Sequence, residues 1–348
     1  MLSCGLTFVA GLLVYVLVSI PPTLPIGASG VAPPRATPPA PAPAEYTLTQ
    51  YPDAGFTGLY AQTADATHSI NMEMYELADT TEEAALVAAK QRGVAVTVLL
   101  DSAYSGRSVN AAAFKYLTAN AVPVRWAPSG RIFHIKTIVF DQDVADVSTA
   151  NLTSRYYSTT RDAMLIDRNP AQVAAITTTL ANDWAENTGP PAAAAGLVWS
   201  PGSESALAQQ ISSARTSIDF TSEELSDPAI YDALAGDARR GVTCKVVMTA
   251  SSEWAKAFAV VTAAGCQVHV LANRSTALYE HEKEILTDAG TANGAMLLGS
   301  QNASYTSLTR NRELGVVVTA AQAPTVIVDA AATFTTDYTS AQPWQAHG

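Results

Sequence analysis

The sequence contains few charged residues: Asp, Glu, Lys and Arg make up 15% of its 348 residues, whereas 48% are hydrophobic. This balance excludes an intrinsically disordered chain, which combines low hydrophobicity with high charge. Positive charge is the scarcer sign, since 20 Lys and Arg face 31 Asp and Glu and give a net charge of −11. Such a surface repels polyanions at long range, so non-specific nucleic-acid binding is disfavoured. The net charge does not exclude a small basic pocket.

Cysteine and histidine are also rare, with three and five copies. No group of them has the spacing of a zinc site, so the sequence gives no indication of a bound metal. Cys244 and Cys266 fall near two predicted neighbouring strands in the second half. They either form one disulfide, as in an exported protein, or remain two separate buried thiols.

Only one long hydrophobic run is present, from Gly5 to Ile20, and two prolines follow it. The run is short for a membrane span and slightly long for the core of a signal peptide. We expect residues 1–30 to be a cleaved export signal, with a retained membrane anchor as the alternative, so the protein would be secreted or in the cell envelope. Residues 31–45 are rich in Pro and Ala and predict an extended linker.

The rest of the chain contains an internal repeat with an offset near 148 residues. Ser69-Ile-Asn-Met-Glu-Met-Tyr-Glu76 aligns with Ser217-Ile-Asp-Phe-Thr-Ser-Glu-Glu224. Two copies of one supersecondary unit are the simplest explanation. We therefore predict two similar lobes, residues 46–192 and 193–342, that are related by pseudo-twofold symmetry.

Predicted helices and strands alternate within each lobe. Asp227-Pro228 supplies an N-cap and a first-turn proline for a helix that ends at Gly241. Apolar runs such as residues 243–249 and 267–271 have the length of strands. The alternation predicts the α/β class, with two α/β sandwich lobes whose mixed sheets are largely parallel.

Two segments share an unusual combination of residues. His134-Ile-Lys136-Thr-Ile-Val-Phe-Asp141 and His281-Glu-Lys283-Glu-Ile-Leu-Thr-Asp288 both read H-x-K-x4-D. Because the chain has only five histidines and six lysines, chance does not explain two copies of this spacing. On a strand, the histidine and lysine of each motif point to the same face and lie roughly 7 Å apart. Two groups placed in this way can grip one phosphate.

The residues downstream of each motif repeat as well. Ser148-Thr-Ala-Asn151 and Arg161-Asp162 follow the first motif, and Gly299-Ser-Gln-Asn302 and Asn311-Arg-Glu313 follow the second. With these segments the chain resembles the phospholipase D superfamily, whose members carry two H-x-K-x4-D motifs, each followed by G-S-x-N and a later acidic residue. The resemblance extends from about Tyr46 to Tyr338 and is closer in the second half, because Ser148-Thr149 replaces Gly-Ser in the first.

The resemblance implies phosphodiester chemistry that needs no metal and no other cofactor. The catalytic set would be the histidine, lysine and aspartate of the two motifs: His134, Lys136, Asp141, His281, Lys283 and Asp288. His134 would attack phosphorus and form a phosphohistidine, while His281 would protonate the leaving alkoxide. These two roles rest on the resemblance, because the repeat itself is symmetric. The motif aspartates would brace their strands without touching substrate.

Further residues receive roles from the same resemblance. The two motif lysines, with amide donors from Asn151 and Asn302, would hold the nonbridging phosphate oxygens. Asp162 and Glu313 would each hydrogen-bond the far ring nitrogen of the histidine in their own half and fix its tautomer.

Some acidic and aromatic residues are weaker candidates for the pocket. Glu76 and Glu224 occupy equivalent repeat positions and could line it, although capping or surface acids are the simpler interpretation. Tyr279 and the pair Tyr156-Tyr157 could border a lipid-facing mouth, with ordinary packing as the alternative.

For function, we expect metal-independent hydrolysis or transfer of phospholipid head groups. A secreted nuclease and a cardiolipin-synthase-like phosphatidyltransferase are the alternatives, and a phosphate-binding scaffold without turnover is the non-enzymatic one. The expected partners are a phospholipid or other phosphodiester substrate and, transiently, a membrane surface. Nucleic acid stays open as a substrate but is disfavoured by the net charge, and we expect a monomer.

Overall fold

Each half of the chain folds into an α/β lobe in the computed structural model, which describes residues 43–104, 106–187 and 189–346. The predicted export signal at residues 1–30 lies outside these ranges, as does most of the predicted linker at residues 31–45. Within the described ranges, no helix combines the length and apolar character that crossing a membrane requires. The predicted lobe boundaries stay predictions.

The first lobe consists of nine strands and five helices in the described residues. The strands are β1 (Tyr46–Tyr51), β2 (Ser69–Met74), β3 (Leu77–Ala78), β4 (Ala95–Leu100), β5 (Val124–Trp126), β6 (Lys136–Phe140), β7 (Val144–Ser148), β8 (Leu152–Thr153) and β9 (Thr160–Asp167). The helices are α1 (Thr57–Asp65), α2 (Thr80–Gln91), α3 (Gly106–Val109), α4 (Ala111–Ala119) and α5 (Pro170–Trp184).

The second lobe also has nine strands and five helices in the described residues, and its order of elements is similar but not identical. Its strands are β10 (Leu197–Ser200), β11 (Ser217–Thr221), β12 (Thr243–Thr249), β13 (Gln267–Leu271), β14 (Tyr279–Glu280), β15 (Glu284–Thr287), β16 (Ala295–Gly299), β17 (Glu313–Thr319) and β18 (Gln342–Pro343). Its helices are α6 (Glu204–Ser212), α7 (Pro228–Arg239), α8 (Ala255–Ala264), α9 (Tyr305–Thr309) and α10 (Pro324–Ser340).

The two main sheets have matching strand orders, which confirms the prediction of two similar lobes. The first runs β1-β9-β7-β6-β2-β4-β5, and the second runs β10-β17-β16-β15-β11-β12-β13-β18. The short strand β14 leaves the second lobe and pairs with β9 of the first sheet. The sequence repeat is therefore a repeat of the whole supersecondary unit.

Both sheets are mixed, as predicted, and the parallel pairings are concentrated in one part of each sheet. Strands β2, β4 and β5 pair in parallel, and so do β11, β12 and β13, because helices connect them. Most other neighbours in the two sheets pair antiparallel; a tight turn joins β6 to β7, and a seven-residue loop joins β15 to β16. The parallel share is thus smaller than the helix–strand alternation suggested.

Local sequence signals explain several element boundaries. Helix α7 begins at Pro228, and the side chain of Asp227 accepts a hydrogen bond from the Ala229 amide at 2.8 Å. Helix α2 begins at Thr80, and its cap is Asp79, which accepts from the amides of Thr81 and Glu82.

A shared hydrophobic core joins the lobes. It combines buried residues of the first lobe, such as Val139 and Leu165, with residues of the second, such as Leu298 and Val316. Residues of α5 and α10 belong to the same cluster, which places these two helices between the lobes. A contact of this kind fixes the two copies of the repeat against each other and so positions whatever lies between them.

Candidate active site

A cavity of about 790 Å³ opens between the lobes, and both motif histidines line it. Of the other predicted site residues, its walls also include Asn151, Asp162, Asn302, Glu76 and Glu224. The two lysines and Glu313 lie behind this surface as buried residues. The structure thus gathers the predicted site, apart from the two motif aspartates, around one space.

The first motif enters the cavity just before strand β6. Strand β6 begins at Lys136, so His134 belongs to the segment that directly precedes the strand. The Lys136 ammonium donates a hydrogen bond to the His134 carbonyl at 2.8 Å. The ring of Tyr75 packs edge-on against the His134 ring, with centroids 4.6 Å apart. The histidine is therefore held on two sides.

The second motif repeats this arrangement before strand β15. His281 and Lys283 both precede the strand, and the Lys283 ammonium donates to the His281 carbonyl. The expectation that each motif lies wholly on a strand is wrong, since regular pairing starts at Lys136 in one lobe and Glu284 in the other. Freed from the sheet ladder, the two histidines can reach toward the opposite lobe.

Each imidazole is bound by a carboxylate from the opposite half of the chain. His134 Nδ1 lies 2.9 Å from Glu313 Oε2, and His281 Nδ1 lies 2.7 Å from Asp162 Oδ1. The prediction that these acids orient the histidines of their own halves is thus wrong about the pairing. Because a carboxylate only accepts, each Nδ1 carries the hydrogen and each Nε2 is left for the cavity.

Backbone pairing across the lobe boundary explains the crossed arrangement. The His281 amide donates to the Arg161 carbonyl at 3.1 Å, next to Asp162. The Arg312 amide donates to the Ile132 carbonyl at 2.9 Å, which brings Glu313 beside the first motif. Each motif is therefore tied to the start of the strand that carries the other lobe's acid.

Neighbouring side chains hold both orienting acids. Glu313 Oε1 accepts from Ser307 Oγ at 2.6 Å and from Asn311 Nδ2 at 3.0 Å. Asp162 Oδ1 accepts from Thr149 Oγ1 at 2.6 Å. Sequence reasoning did not assign these roles to Ser307 and Thr149. Because these hydrogen bonds hold the carboxylates in place, they also fix the orientation of the two imidazole rings.

The electrostatic surroundings of the two histidines differ. Burial, and after it the nearby Lys136 ammonium, lower the pKa of His134 although Glu313 opposes this. Burial and the neighbouring Lys283 lower the pKa of Lys136 to about 7. His281, in contrast, lies between two carboxylates, those of Asp162 and Glu223. The structure thus breaks the symmetry that the sequence motifs leave intact.

The motif aspartates lie away from the cavity, so grouping them with the catalytic residues was wrong. Asp141 accepts hydrogen bonds from the amides of Thr67, His68 and Ser69, just before β2. Asp288 does the same for the residues just before β11. Although burial opposes it, these backbone donors lower the pKa of Asp141 to about 2. Both residues brace strands, as the resemblance implied.

The two lobes differ in the G-S-x-N segment, where Gly299-Ser300 of the second lobe corresponds to Ser148-Thr149 of the first. A Cβ at Gly299 would overlap the Leu314 carbonyl oxygen, so glycine is required there. The equivalent Ser148 is accommodated, and its Oγ accepts from the Ala150 amide at 2.9 Å. The replacement of glycine by serine is therefore compatible with the local geometry of the first lobe.

Glu223 is a cavity residue that sequence reasoning missed. Its carboxylate lies 3.3 Å from Lys283 Nζ and 3.4 Å from His281 Nε2. The repeat alignment pairs Glu223 with Tyr75, so the change from an aromatic ring to a carboxylate, next to the matched Glu76 and Glu224, was the available signal. Across the described residues, no three His, Cys, Asp or Glu side chains converge as a metal site would require.

Comparison with known families identifies the type of domain. A family model described as "Cardiolipin synthase, PLD-like domain" matches residues 59–184 and 207–337, which is most of the chain. Each match contains one of the two H-x-K-x4-D motifs. No match was found among curated protein sequences.

Two solved structures share the fold at low sequence identity, and a third matches only part of the chain. Phosphatidylserine synthase from Haemophilus influenzae Rd KW20 is 10% identical with a TM-score of 0.66, covering 87% of this chain and 88% of that one. Polyphosphate kinase from Porphyromonas gingivalis is 16% identical with a TM-score of 0.63, covering 83% of this chain but only 50% of the kinase. This chain thus spans about half the length of the kinase. Nuc from Salmonella typhimurium, a phospholipase D family member, is 22% identical with a TM-score of 0.38, covering 40% of this chain and 93% of Nuc.

Proposed function

This chain belongs to the phospholipase D superfamily, whose members act on phosphodiester bonds, and we propose that it hydrolyses or transfers phospholipid head groups through a phosphohistidine. One observation carries the proposal: two imidazoles from different lobes line one cavity, each with its Nδ1 bound to a carboxylate of the other lobe. Each Nε2 is then left on the cavity side of its ring, and that of His281 also lies 3.4 Å from the Glu223 carboxylate.

The first half of the reaction uses both histidines. With its pKa lowered, His134 is neutral near pH 7, and its Nε2 lone pair attacks phosphorus. An N–P bond forms while the bond to the leaving alcohol breaks, and His281 donates a proton to the departing oxygen. The lysine ammonium groups, with the amides of Asn151 and Asn302, stabilise the negative charge that builds up on the nonbridging oxygens.

The second half returns the site to its starting state. His281, now neutral, takes a proton from water, whose oxygen attacks phosphorus as the N–P bond breaks. If another alcohol replaces water, the same steps transfer the phosphatidyl group. The fold shared with phosphatidylserine synthase is consistent with such a transfer but does not select it over hydrolysis.

The lining of the cavity supports a cationic head group as the leaving alcohol. Besides the carboxylates beside His281, it includes tyrosine rings and two further carboxylates: Tyr75, Tyr104, Tyr156, Tyr157, Tyr279, Glu76 and Glu224. Aromatic faces and carboxylates are the groups that bind quaternary or primary ammonium ions. We therefore propose phosphatidylcholine-like or phosphatidylethanolamine-like lipids as substrates.

We also propose that the protein acts outside the cytoplasm. Cys244 and Cys266 form a disulfide, which decides between the two alternatives that the sequence left open. Disulfides persist mainly in oxidising compartments, so the bond supports export by the N-terminal hydrophobic run. Determining the N-terminus of the mature protein tests this, and cleavage near residue 30 is the expected result.

Nuclease activity is the second candidate. Arg155 and Arg274 line the cavity beside tyrosine rings, and cations alternating with aromatic faces suit a single strand of nucleic acid. The net charge of −11 acts against it, because a polyanion would meet repulsion on approach.

A substrate panel tests these proposals. We expect choline release from phosphatidylcholine vesicles in the presence of a chelator, and loss of that activity in His134→Ala and His281→Ala. Cleavage of single-stranded DNA without choline release would replace the lipid proposal by the nuclease one. Binding of phosphate compounds without turnover of any diester would contradict both.

A further inference from the structure

The repeat symmetry of the cavity breaks next to the catalytic groups, where Tyr75 of the first lobe aligns with Glu223 of the second. In the first lobe, the Tyr75 ring covers the histidine and lies 4.9 Å from Lys136 Nζ. In the second lobe, a carboxylate occupies the equivalent place beside His281 and Lys283. The two halves of the site therefore offer a phosphate different surroundings.

The Glu223 carboxylate engages three donors at once. Its Oε2 lies 3.3 Å from Lys283 Nζ, 3.4 Å from His281 Nε2 and 3.3 Å from Asn302 Nδ2. We call these three atoms the second-lobe donors. The other oxygen, Oε1, accepts from the Tyr279 hydroxyl at 3.1 Å, so both oxygens of the carboxylate are held by donors.

The second-lobe donors are the groups that the proposed mechanism assigns to the phosphate oxygens and the leaving group. A carboxylate and a phosphate cannot hold them together without bringing like charges into contact. Although burial opposes it, His281 and Lys283 hold the pKa of Glu223 well below its usual range, so the group stays ionised throughout the working pH range.

We propose that Glu223 is an internal competitor for the phosphate subsite, which a bound phosphate must displace from the second-lobe donors. The residue is then specificity-determining. It disfavours phosphate monoesters, which carry close to two negative charges near neutral pH, more than diesters, which carry one. Because a monoester is the lipid product of hydrolysis, the same repulsion speeds product release.

The proposal deepens the proposed function and rests on it for the identity of substrate and product, but its test does not need turnover. Inorganic phosphate and dimethyl phosphate are titrated into the full chain by calorimetry, and the wild type is compared with Glu223→Gln. Glutamine keeps the shape and the hydrogen-bonding oxygen but removes the charge. Asp232→Asn is the matched control, because it removes one exposed carboxylate on α7 that does not line the cavity.

We expect Glu223→Gln to bind inorganic phosphate at least tenfold more tightly than the wild type. The gain for dimethyl phosphate is smaller, because it carries a single charge. Asp232→Asn stays within twofold of the wild type for both. The gain for inorganic phosphate grows as the pH rises and phosphate becomes a dianion. With a working diester assay, inhibition by the monoester product also becomes stronger in Glu223→Gln.

Equal or weaker phosphate binding by Glu223→Gln overturns the proposal, because Glu223 would then organise the donors instead of competing for them. Glu223→Ala, measured in parallel, guards against an effect peculiar to glutamine, and both variants are used only if their thermal midpoints match the wild type within a few degrees. If the wild type, Glu223→Gln and Glu223→Ala all show no measurable phosphate binding, the result counts against the proposal. Tighter binding by Glu223→Gln without any diester cleavage supports it while contradicting the proposed function.

Discussion

At the scale of single residues, the crossed hydrogen bonds of the two histidines determine what the site can do. Each ring receives its tautomer from the opposite lobe, Glu313 orienting His134 and Asp162 orienting His281. Neither histidine is therefore in its working state unless both lobes are in place. The sequence predicted these four residues but not their pairing, because each acid follows the histidine of its own half by about 30 residues, whereas the observed partners are 179 and 119 residues apart.

Replacing Asp162 by Asn is expected to lower kcat by about 10²–10⁴-fold, as loss of the orienting acid does in serine-protease triads. An amide can donate to Nδ1 and so favours the tautomer with its hydrogen on Nε2. Asp141→Asn is the control, since Asp141 lies outside the cavity and accepts hydrogen bonds from backbone amides and the Thr67 hydroxyl at the start of β2. It should lower the free energy of unfolding by about 1–2 kcal/mol while kcat stays within a few-fold. Equal losses of kcat in both variants would contradict the assignment.

The pKa of Lys136, lowered to about 7, predicts an alkaline limit to activity. As the pH rises through 7, the ammonium loses its proton and the phosphate loses one of its cations, so kcat/KM should decline. A soluble diester with a p-nitrophenyl leaving group keeps a constant charge over this range and suits the measurement. Lys136→Arg stays protonated and should lose this decline, although its overall rate is lower. A wild-type profile that is flat up to pH 9 would show that Lys136 titrates elsewhere.

At the scale of elements, the sequence predicted the helices and strands correctly where signals from neighbouring residues determine their bounds. Strands β12 and β13 match the apolar runs that predicted them, and helix α7 begins at the predicted Asp227-Pro228 cap. The prediction failed where contacts with the other lobe determine whether a segment joins a strand. The motif histidines leave their strands because the other lobe provides backbone partners for the preceding segment, and β14 forms only as an addition to β9 of the opposite lobe.

The disulfide links the start of strand β12 to the residue before β13, across a separation of 22 residues. A loop of this length predicts a contribution of about 3 kcal/mol to the free energy of unfolding. The double variant Cys244→Ala/Cys266→Ala should therefore unfold at lower urea concentration. Its kcat should be unchanged, because both residues belong to the outer core of the second lobe. The wild type in reductant should behave like the variant, and an unchanged urea midpoint in both would argue against the bond.

At the scale of the whole molecule, two buried ion pairs join the lobes in a symmetric way. Arg161 binds Asp337 of α10 through two hydrogen bonds of 2.6 and 3.0 Å, and Arg312 binds Asp183 of α5 at 2.9 Å. Each arginine directly precedes an orienting acid. The Arg–acid dipeptide of each lobe thus anchors one helix and one histidine of the other lobe. Such long-range partners leave no local signature in the sequence.

Breaking the first ion pair should destabilise the protein strongly. Arg161→Met is expected to lower the free energy of unfolding by about 3–5 kcal/mol, because it leaves the buried Asp337 without its counterion. Asp337→Leu is expected to cost somewhat less, because Arg161 keeps the exposed Asp53 at 2.8 Å. The double variant should lose much less than the sum of the two, since an apolar pair can fill the same space. Urea unfolding of all four proteins measures this coupling. Additive losses would mean that the pair does not act as a unit.

The most direct test of the account is to trap the covalent intermediate in His281→Ala with a p-nitrophenyl phosphodiester. This leaving group departs without a general acid, so His134 can still be phosphorylated, whereas attack by water lacks its base and the intermediate accumulates. Mass spectrometry of the quenched protein should find the phosphoryl group on the peptide that contains His134, and no adduct in His134→Ala. An adduct on a different residue, or full turnover in His134→Ala, would contradict the claim that two imidazoles from opposite lobes act on one phosphorus.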